Sequence, residues 1–303
     1  MRNGVLNVYK EAGFTSHDVV AKLRGICGQK KIGHTGTLDP DAVGVLPVCL
    51  GNATKLCELL SDETKEYEAV LLLGKETDTQ DLSGRVLWER AVTVDEKTAE
   101  EAVLSFLGPY EQIPPMYSAL KVNGKKLYEL ARAGKEVERR PRPVRILSIT
   151  ILKTELPEIT FRVECSKGTY IRTLCHDIGT KLGCGGVMKS LKRTRVGRFD
   201  IKDALTLGEL ERMAKENRLE EALLPVEELF SDCPRLVVKP ECERLVQNGN
   251  EILPGQADPG QQKLTPGERV RMCGADGTFY GLYAFYKNEG ESGKYRPVKM
   301  FLT

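Results

Sequence analysis

The stretch Gly33-His34-Thr35-Gly36-Thr37-Leu38-Asp39-Pro40-Asp41-Ala42-Val43-Gly44 places one carboxylate inside a densely constrained turn. Its three glycines permit backbone conformations and close approaches that a side chain would block. Pro40 fixes its own φ and disfavours the helical region for Asp39. Such a loop holds the Asp39 carboxylate in one geometry, as a catalytic group requires, with His34 a few residues upstream. The alternative is an ordinary turn aspartate, because aspartate tolerates loops of this kind.

The composition is that of a globular protein without a disulfide framework. The 303 residues are 41% hydrophobic, enough for one large domain and a smaller one. No apolar run approaches the roughly 20 residues of a membrane helix, and the first residues lack the apolar region of a signal peptide. The nine cysteines form no C-x-x-C pair, and there are three histidines. We therefore expect a protein of the reducing cytosol that has no zinc site.

The net charge of +2 hides two strongly basic segments. Residues 121–145 carry nine Lys or Arg against three Glu, and residues 181–202 carry seven against one Asp, a net +6 in each segment. Local basic segments on a near-neutral chain favour a polyanion bound on one face. The alternative is that they are solvated loops and helix faces.

Hydrophobic periodicity and turn signals predict a mixed α+β chain. Thr15 and Asp18 have capping-box spacing before a helix, and so do Thr206 and Glu209 before a helical stretch reaching about Leu224. A helix over 99–107 is predicted to end at Gly108-Pro109. The predicted strands cover residues 4–9, 45–50, 66–73, 85–88, 144–153 and 159–165.

Three further regions complete the organisation of the chain. Residues 112–143 look inserted, because they open with two prolines and end in Arg-Pro-Arg-Pro. In the helix that follows residue 170, Arg172 lies off the apolar face. Residues 234–303 read as a small, mostly β domain with a hairpin formed by 270–273 and 278–286.

Four segments of the chain together resemble the TruB family of tRNA pseudouridine-55 synthases. They are Gly33 to Pro40, Lys65-Glu66-Tyr67-Glu68, Ser166-Lys167-Gly168-Thr169-Tyr170-Ile171-Arg172-Thr173 and Leu191-Lys192-Arg193-Thr194-Arg195. Further matches are Lys10 with Gly13-Phe14-Thr15-Ser16, Thr77-Asp78-Thr79-Gln80-Asp81, and Pro114-Pro115-Met116-Tyr117-Ser118-Ala119-Leu120-Lys121. Glu11 stands where a proline often follows the lysine. The resemblance covers most of the chain and is weakest toward the C-terminus.

The resemblance implies a fold and a reaction. The expected fold is α+β, a mixed, largely antiparallel sheet flanked by helices, over residues 1–232. A thumb is inserted at about 112–143, and residues 234–303 form a PUA-like RNA-binding domain. The expected reaction isomerises uridine 55 in the T-loop of tRNA to pseudouridine, with no cofactor and no metal. The expected partner is the T-arm stem-loop of tRNA. A cytoplasmic monomer without membrane or obligate protein partner would carry out this reaction.

The resemblance also assigns three catalytic residues. Asp39 matches the aspartate that attacks or deprotonates during glycosidic cleavage, and the sequence leaves that choice open. Arg172 is expected to pair with Asp39 and to keep it ionised by lowering its pKa. Tyr67 is expected to stack on the flipped uracil and to assist removal of the C5 proton. The alternatives are an exposed helix arginine and a half-buried strand tyrosine.

Five more residues are assigned to substrate binding. His34 resembles the histidine that fills the stack vacated by the flipped base, although a lone histidine is often structural. Tyr170 and Leu191 are expected in the pocket wall, with core packing as the alternative. Lys10 and Asp81 match family positions, where Lys10 would brace the catalytic loop and Asp81 could be a turn residue only.

Two other functions fit the same chain less well. A non-catalytic tRNA-binding or folding protein would keep the basic segments but could dispense with Asp39 and Arg172, and both are present. A synthase guided by partner proteins and a separate RNA would commonly carry long lysine-rich tails, which this chain lacks.

Overall fold

A computed structural model describes residues 1–122, 124–258, 264–287 and 293–302 of the chain. The strands are β1 (Gly4–Lys10), β2 (Ile32–His34), β3 (Val43–Leu50), β4 (Lys65–Leu73), β5 (Lys75–Thr77), β6 (Val86–Glu89), β7 (Gly108–Gln112), β8 (Lys121–Val122), β9 (Lys125–Lys126), β10 (Arg142–Glu155), β11 (Glu158–Cys165), β12 (Gly186–Val196), β13 (Phe199–Asp200), β14 (Leu223–Leu224), β15 (Arg235–Val238), β16 (Ala257–Asp258), β17 (Arg269–Cys273), β18 (Phe279–Tyr286) and β19 (Lys294–Met300). The helices are α1 (Ser16–Cys27), α2 (Cys57–Ser61), α3 (Glu96–Leu104), α4 (Leu127–Arg132), α5 (Ile171–Lys181), α6 (Leu207–Lys215) and α7 (Glu243–Gln247).

Ten of these strands form one mixed sheet in the order β14-β1-β3-β12-β4-β11-β10-β7, with β2 on β3 and β13 on β12. β3 and β12 run parallel, whereas the other neighbouring strands of this sheet run antiparallel. A second sheet has the order β16-β15-β17-β18-β19. The predicted α+β class is therefore confirmed. The C-terminal region is mostly β, as predicted, and forms a separate sheet.

The main sheet buries both of its faces. Side chains of a strand alternate between faces, so Leu6 and Val8 of β1 pack with α1 and α6 while Val5 faces the opposite side. A separate cluster joins α3 and α5 to β4, β10 and β11. No helix within the described ranges is long and apolar enough to cross a membrane.

The predicted insertion leaves the sheet and returns to it at one place. Gln112 ends β7 and Arg142 begins β10, and the two residues lie opposite each other in an antiparallel pair. Between them the β8–β9 hairpin and α4 form an excursion from the sheet, which we call the thumb (residues 112–143). Its base is therefore fixed by backbone hydrogen bonds next to the start of α5.

The second sheet is packed onto the first by aromatic side chains and an amide. The rings of Phe230, Phe279 and Phe301 lie 5.6 to 6.3 Å apart. The side chain of Asn52, which follows β3, donates to the carbonyls of Phe301 and Leu302 at 3.0 and 3.1 Å. Residues 301 and 302 are thus hydrogen-bonded to the segment that follows β3.

Two predicted helix boundaries were wrong. The helix placed at 99–107 spans Glu96–Leu104, because Asp95 caps it by accepting from the Thr98 amide, and Gly108-Pro109 begins β7 instead of ending the helix. The helix expected to reach Leu224 ends at Lys215, since Asn217 adopts φ +57°, a left-handed conformation that asparagine tolerates. Leu223 and Leu224 then pair with β1 as a strand.

Candidate active site

The Asp39 loop connects β2 to β3 in the middle of the main sheet and is tied down along its length. The amide of Leu38 donates to the Ser16 hydroxyl of α1 at 2.9 Å, and the amide of Gly13 donates to the Pro40 carbonyl at 3.0 Å. Lys10 is fully buried, and its ammonium donates to the carbonyls of Pro40, Phe14 and Glu11 at 2.9, 2.6 and 3.1 Å. The loop therefore has a fixed backbone, as the glycines and Pro40 predicted.

Lys10 is a buried cation neutralised by carbonyl dipoles. Burial lowers the pKa of Lys10 to about 8, while Asp39 and Asp41 oppose the shift. Lys10 has no exposed surface. Its contacts support the backbone beside Asp39.

The first turn of α5 brings Arg172 to Asp39, 133 residues away in the chain. Arg172 Nε lies 2.9 Å from Asp39 Oδ2, and Nη2 donates to Oδ1 at 3.3 Å, so the pair is bidentate. The same guanidinium donates to the carbonyls of Thr79 and Tyr117 at 3.0 and 2.9 Å. The Arg172 side chain is 6% exposed and that of Asp39 is 38% exposed. The cation is thus locked in the protein, while its carboxylate partner remains open to a ligand.

The direction of the Asp39 pKa differs from the expected one. Burial raises the pKa of the Asp39 carboxyl above its ordinary value, and the nearby Asp81 acts in the same direction. Arg172 and Lys10 favour the ionised form and oppose this rise. The guanidinium therefore limits the upward shift of the pKa instead of producing a downward one, because desolvation penalises the charge more strongly.

Asp81 lies behind the ion pair. Its Oδ1 accepts from the hydroxyls of Thr79 and Ser83, both at 2.6 Å, and from the Ser83 amide at 2.9 Å. Its Oδ2 is 3.8 Å from Arg172 Nε, so one guanidinium faces two carboxylates. Asp81 combines a turn role with an electrostatic one.

Tyr67 and Leu191 share the wall beneath the loop. Tyr67 lies on β4 and is 8% exposed, and it belongs to one apolar cluster with Leu191 of β12 and with Leu38 and Ala42 of the loop. Burial raises the pKa of the Tyr67 phenol, which is therefore protonated at neutral pH. The structure thus brings Tyr67 to the Asp39 loop as a neutral phenol.

Tyr170 immediately precedes α5, and its backbone is hydrogen-bonded by Gln112 at the base of the thumb. The Gln112 side chain accepts from the Tyr170 amide at 2.7 Å and donates to its carbonyl at 3.0 Å. Burial raises the pKa of the Tyr170 phenol. Gln112 was not predicted as a site residue, yet it connects the start of the thumb to the helix that carries Arg172.

His34 ends β2 at the entrance to the loop. Its Nδ1 accepts from the Gly36 amide at 3.3 Å, and its ring packs edge-on against His17 at 5.3 Å between centroids. Burial lowers the pKa of His34, and the neighbouring His17 and Arg193 act in the same direction. The imidazole is therefore neutral at neutral pH.

Sequence reasoning missed Arg193, whose side chain is 1% exposed. Its Nε donates to the Val45 carbonyl at 2.7 Å and its Nη2 to the Gly36 carbonyl at 3.3 Å, on the two sides of Asp39. In the sequence, Arg193 is one of the seven basic residues of segment 181–202. The available signal was its spacing of two residues from Leu191, which puts both side chains on the same face of a strand.

Much of the charge of segment 181–202 is neutralised within the sheet. Lys189 pairs with Glu158 at 2.5 Å, Lys192 with Glu68 at 2.6 Å and Arg195 with Glu164 at 3.0 Å. In the thumb and β10, by contrast, Arg139 is the one basic residue of 121–145 that pairs with a carboxylate among the described residues, Glu136 at 3.6 Å. The unneutralised basic surface is therefore on the thumb side.

Comparisons with known proteins agree over nearly the whole chain. Residues 24–171 match the TruB family pseudouridylate synthase N-terminal domain, and residues 172–231 match the tRNA pseudouridylate synthase B C-terminal domain. The tRNA pseudouridine synthase B of Lachnoclostridium phytofermentans is 53% identical over 311 residues, which cover 99% of this chain and 100% of that protein. The same-named protein of Alkaliphilus oremlandii is 52% identical over 250 residues, 82% of this chain and 83% of that protein.

A solved structure has the same architecture. A crystal structure of a Cbf5-Nop10-Gar1 complex contains a chain 29% identical to this one, with a TM-score of 0.73. The match covers 99% of this chain and 85% of that chain.

Proposed function

The chain belongs to the TruB family of pseudouridylate synthases, and on that premise we propose that it isomerises uridine 55 in the T-loop of tRNA to pseudouridine. The bond between the ribose C1′ and N1 of uracil breaks, the base turns, and C1′ bonds to C5. The proton on C5 is lost, and N1 ends protonated. No atom is gained or lost overall, so the reaction requires no oxidant and no group donor.

The observation that carries the proposal is the half-open ion pair of Asp39 and Arg172. A carboxylate that attacks C1′ or removes a ribose proton must be ionised and must reach the substrate. The bidentate guanidinium favours the ionised form against burial, while Asp39 keeps 38% of its side chain exposed. We assign Asp39 as the nucleophile or base, and Arg172 as the group that orients the Asp39 carboxylate and favours its ionised form.

The remaining residues are assigned by their positions around this pair. Tyr67 supplies a ring under the base and, as a phenol, a group that assists transfer of the C5 proton. His34 fills the stack that the flipped base leaves, while Tyr170 and Leu191 close the pocket wall. For Lys10 and Asp81 we propose support of the loop and of Arg172 instead of direct contact with RNA, because Lys10 is buried and Asp81 is occupied by Thr79 and Ser83.

Grip on the RNA is assigned to the thumb. Flipping a base out of folded RNA costs a few kcal/mol of stacking, which phosphate contacts nearby can offset. The basic side chains of 121–145 are largely exposed and mostly lack carboxylate partners among the described residues, whereas those of β12 are paired or buried. The thumb is also fixed beside α5 through Gln112.

We assign catalysis to residues 1–232 and further RNA contacts to a PUA-like unit at 234–303. The enzyme is proposed to act as a monomer in the cytoplasm on the T-arm alone, without an obligate protein partner. The nine cysteines are all free, which suits a reducing compartment.

The test uses the purified protein and an unmodified tRNA transcript, with pseudouridine mapped after incubation. Asp39→Asn is expected to keep tRNA affinity and abolish product, while Asp41→Asn, two residues along the same loop, keeps activity. Substantial turnover by Asp39→Asn would refute the assignment of Asp39. A wild-type protein that binds tRNA and makes no product would indicate a non-catalytic binding protein, and product only with added proteins and guide RNA would indicate a guided synthase.

A further inference from the structure

Arg193 is a buried cation without a carboxylate partner. It is the largest side chain of those almost fully removed from solvent, at 1% exposed. Across the described ranges no carboxylate lies within 4 Å of its guanidinium, whereas the other buried arginine, Arg172, has Asp39. A buried charge is costly unless its donors find good acceptors. The groups that accept hydrogen bonds from Arg193 therefore indicate its role.

Those contacts fall on the two sides of Asp39. The carbonyls of Gly36 and Val45 accept from Nη2 and Nε, so one planar guanidinium spans the start and the end of the catalytic loop. The backbone of Arg193 also lies against the end of the loop, because Arg193 pairs with Gly44 where β12 runs parallel to β3. A Cβ at Gly44 would lie 2.2 Å from the Arg193 carbonyl oxygen.

Arg193 also faces the third catalytic candidate. In the antiparallel pairing of β12 with β4, Arg193 lies directly opposite Tyr67, and side chains at opposed positions share a face. Burial raises the pKa of the Tyr67 phenol, and the nearby charge of Arg193 opposes that rise. One side chain thus connects the loop that bears Asp39 with the strand that bears Tyr67.

We propose that Arg193 is a positioning residue for the isomerisation, holding the Asp39 loop and the Tyr67 ring in one relative geometry without touching RNA. This inference rests on the proposed function. Because Arg193 has almost no exposed surface, its loss should lower the rate of the chemical step and leave tRNA affinity unchanged. A displacement of about 1 Å between reacting groups is enough to lower a rate about 100-fold.

The test is Arg193→Lys, which keeps the charge but not the planar fork. An ammonium donates from a single point, so it cannot reach both Gly36 and Val45 while also facing Tyr67. We expect the single-turnover rate at saturating tRNA to fall about 100-fold, with the tRNA Kd within about twofold of wild type.

A stability-matched control separates positioning from general weakening. Val196→Ala, on the same strand, opens a cavity in a buried cluster that excludes Tyr67 and Leu38, and it should keep the wild-type rate. Hydrogen exchange of the amides of 35–44 should quicken in Arg193→Lys and not in Val196→Ala. This readout needs no RNA, so it tests the inference even if the wild type forms no pseudouridine and the proposed function fails.

The inference would be overturned by an Arg193→Lys rate within twofold of wild type, or by equal loss in Val196→Ala. Loss of tRNA affinity in place of rate would also overturn it. Should the lysine variant not fold, Arg193→Gln is the second variant, since its amide can still donate to the Val45 carbonyl. Failure of both to fold would make Arg193 a purely structural residue.

Discussion

Replacing Arg172 with glutamine removes the charge of the central ion pair while keeping one donor near the position of Nε. Arg172 makes two contacts to Asp39 and one each to the carbonyls of Thr79 and Tyr117, and its Nε also lies 3.8 Å from Asp81. A glutamine amide ends near the position of Nε, so it can still donate to Asp39 but leaves that carboxylate without its cation and the two carbonyls without their donor. Since only the polar contacts of one side chain are lost, we expect the fold to survive and the chemical step to slow.

The size of the loss follows from the burial of the two partners. Removing one member of a fully buried pair costs about 3 to 5 kcal/mol. Asp39 is 38% exposed, so solvent screens part of this energy, and we expect about 2 to 3 kcal/mol. Expressed in the transition state, that is a rate loss of about 30- to 150-fold.

The same substitution should change the pH dependence. Arg172 opposes the rise in the pKa of Asp39, so its removal raises that pKa further. Since the reaction needs the ionised carboxylate, the acid limb of the rate profile should move to higher pH. Single-turnover pseudouridine formation, measured across the pH range at saturating tRNA, gives both the rate and the midpoint of that limb.

Two comparison variants isolate the cause. Arg172→Lys keeps the charge but loses the fork, so its acid limb should move less than that of Arg172→Gln. Arg218→Gln breaks an exposed cluster with Glu216 and Glu221 and should change neither rate nor profile. A folded Arg172→Gln enzyme with a near wild-type rate, or with an unmoved acid limb, would refute the assignment of Arg172.

Two further predictions concern stability. Gly44→Ala should lower the free energy of unfolding by about 4 kcal/mol, because φ is +106° and the new Cβ would meet the Arg193 carbonyl at 2.2 Å. Gly28→Ala, with φ +64° and open space around it, should cost only about 1 kcal/mol of strain in the same denaturant titration, and equal losses would contradict the overlap argument. The pKa of His176 is raised by its bond to Asp177, so its stabilisation is complete below its ordinary pKa and is lost as pH rises through the higher folded value. The stability advantage of wild type over His176→Gln should accordingly shrink as the pH rises above the ordinary histidine pKa of about 6.5, and a constant difference would contradict it.

The local backbone could be predicted because its causes are local. Glycines and Pro40 around Asp39 specify a constrained loop, and the capping boxes at Thr15 and Thr206 begin helices where expected. Hydrophobic patterning predicted five of the ten strands of the main sheet, β1, β3, β4, β10 and β11, and missed the other five, including the long strand β12. The helix ends near Leu107 and Leu224 were misjudged because Gly108 begins a strand that pairs with β10, and because Leu223 and Leu224 pair with β1.

The sequence by itself determined which chemical groups the site contains and the rigid turn that presents Asp39, since residue types and short-range backbone restrictions are written locally. Only the tertiary structure decided which of those groups are buried, which partners they contact and in which direction their pKa values shift. Arg172, expected at the surface as an alternative, is buried by carbonyls from two other segments, and Arg193 proved to be buried at the loop instead of free for phosphate. Desolvation and partner distance depend on residues more than a hundred positions apart, and these set the direction of the Asp39 pKa.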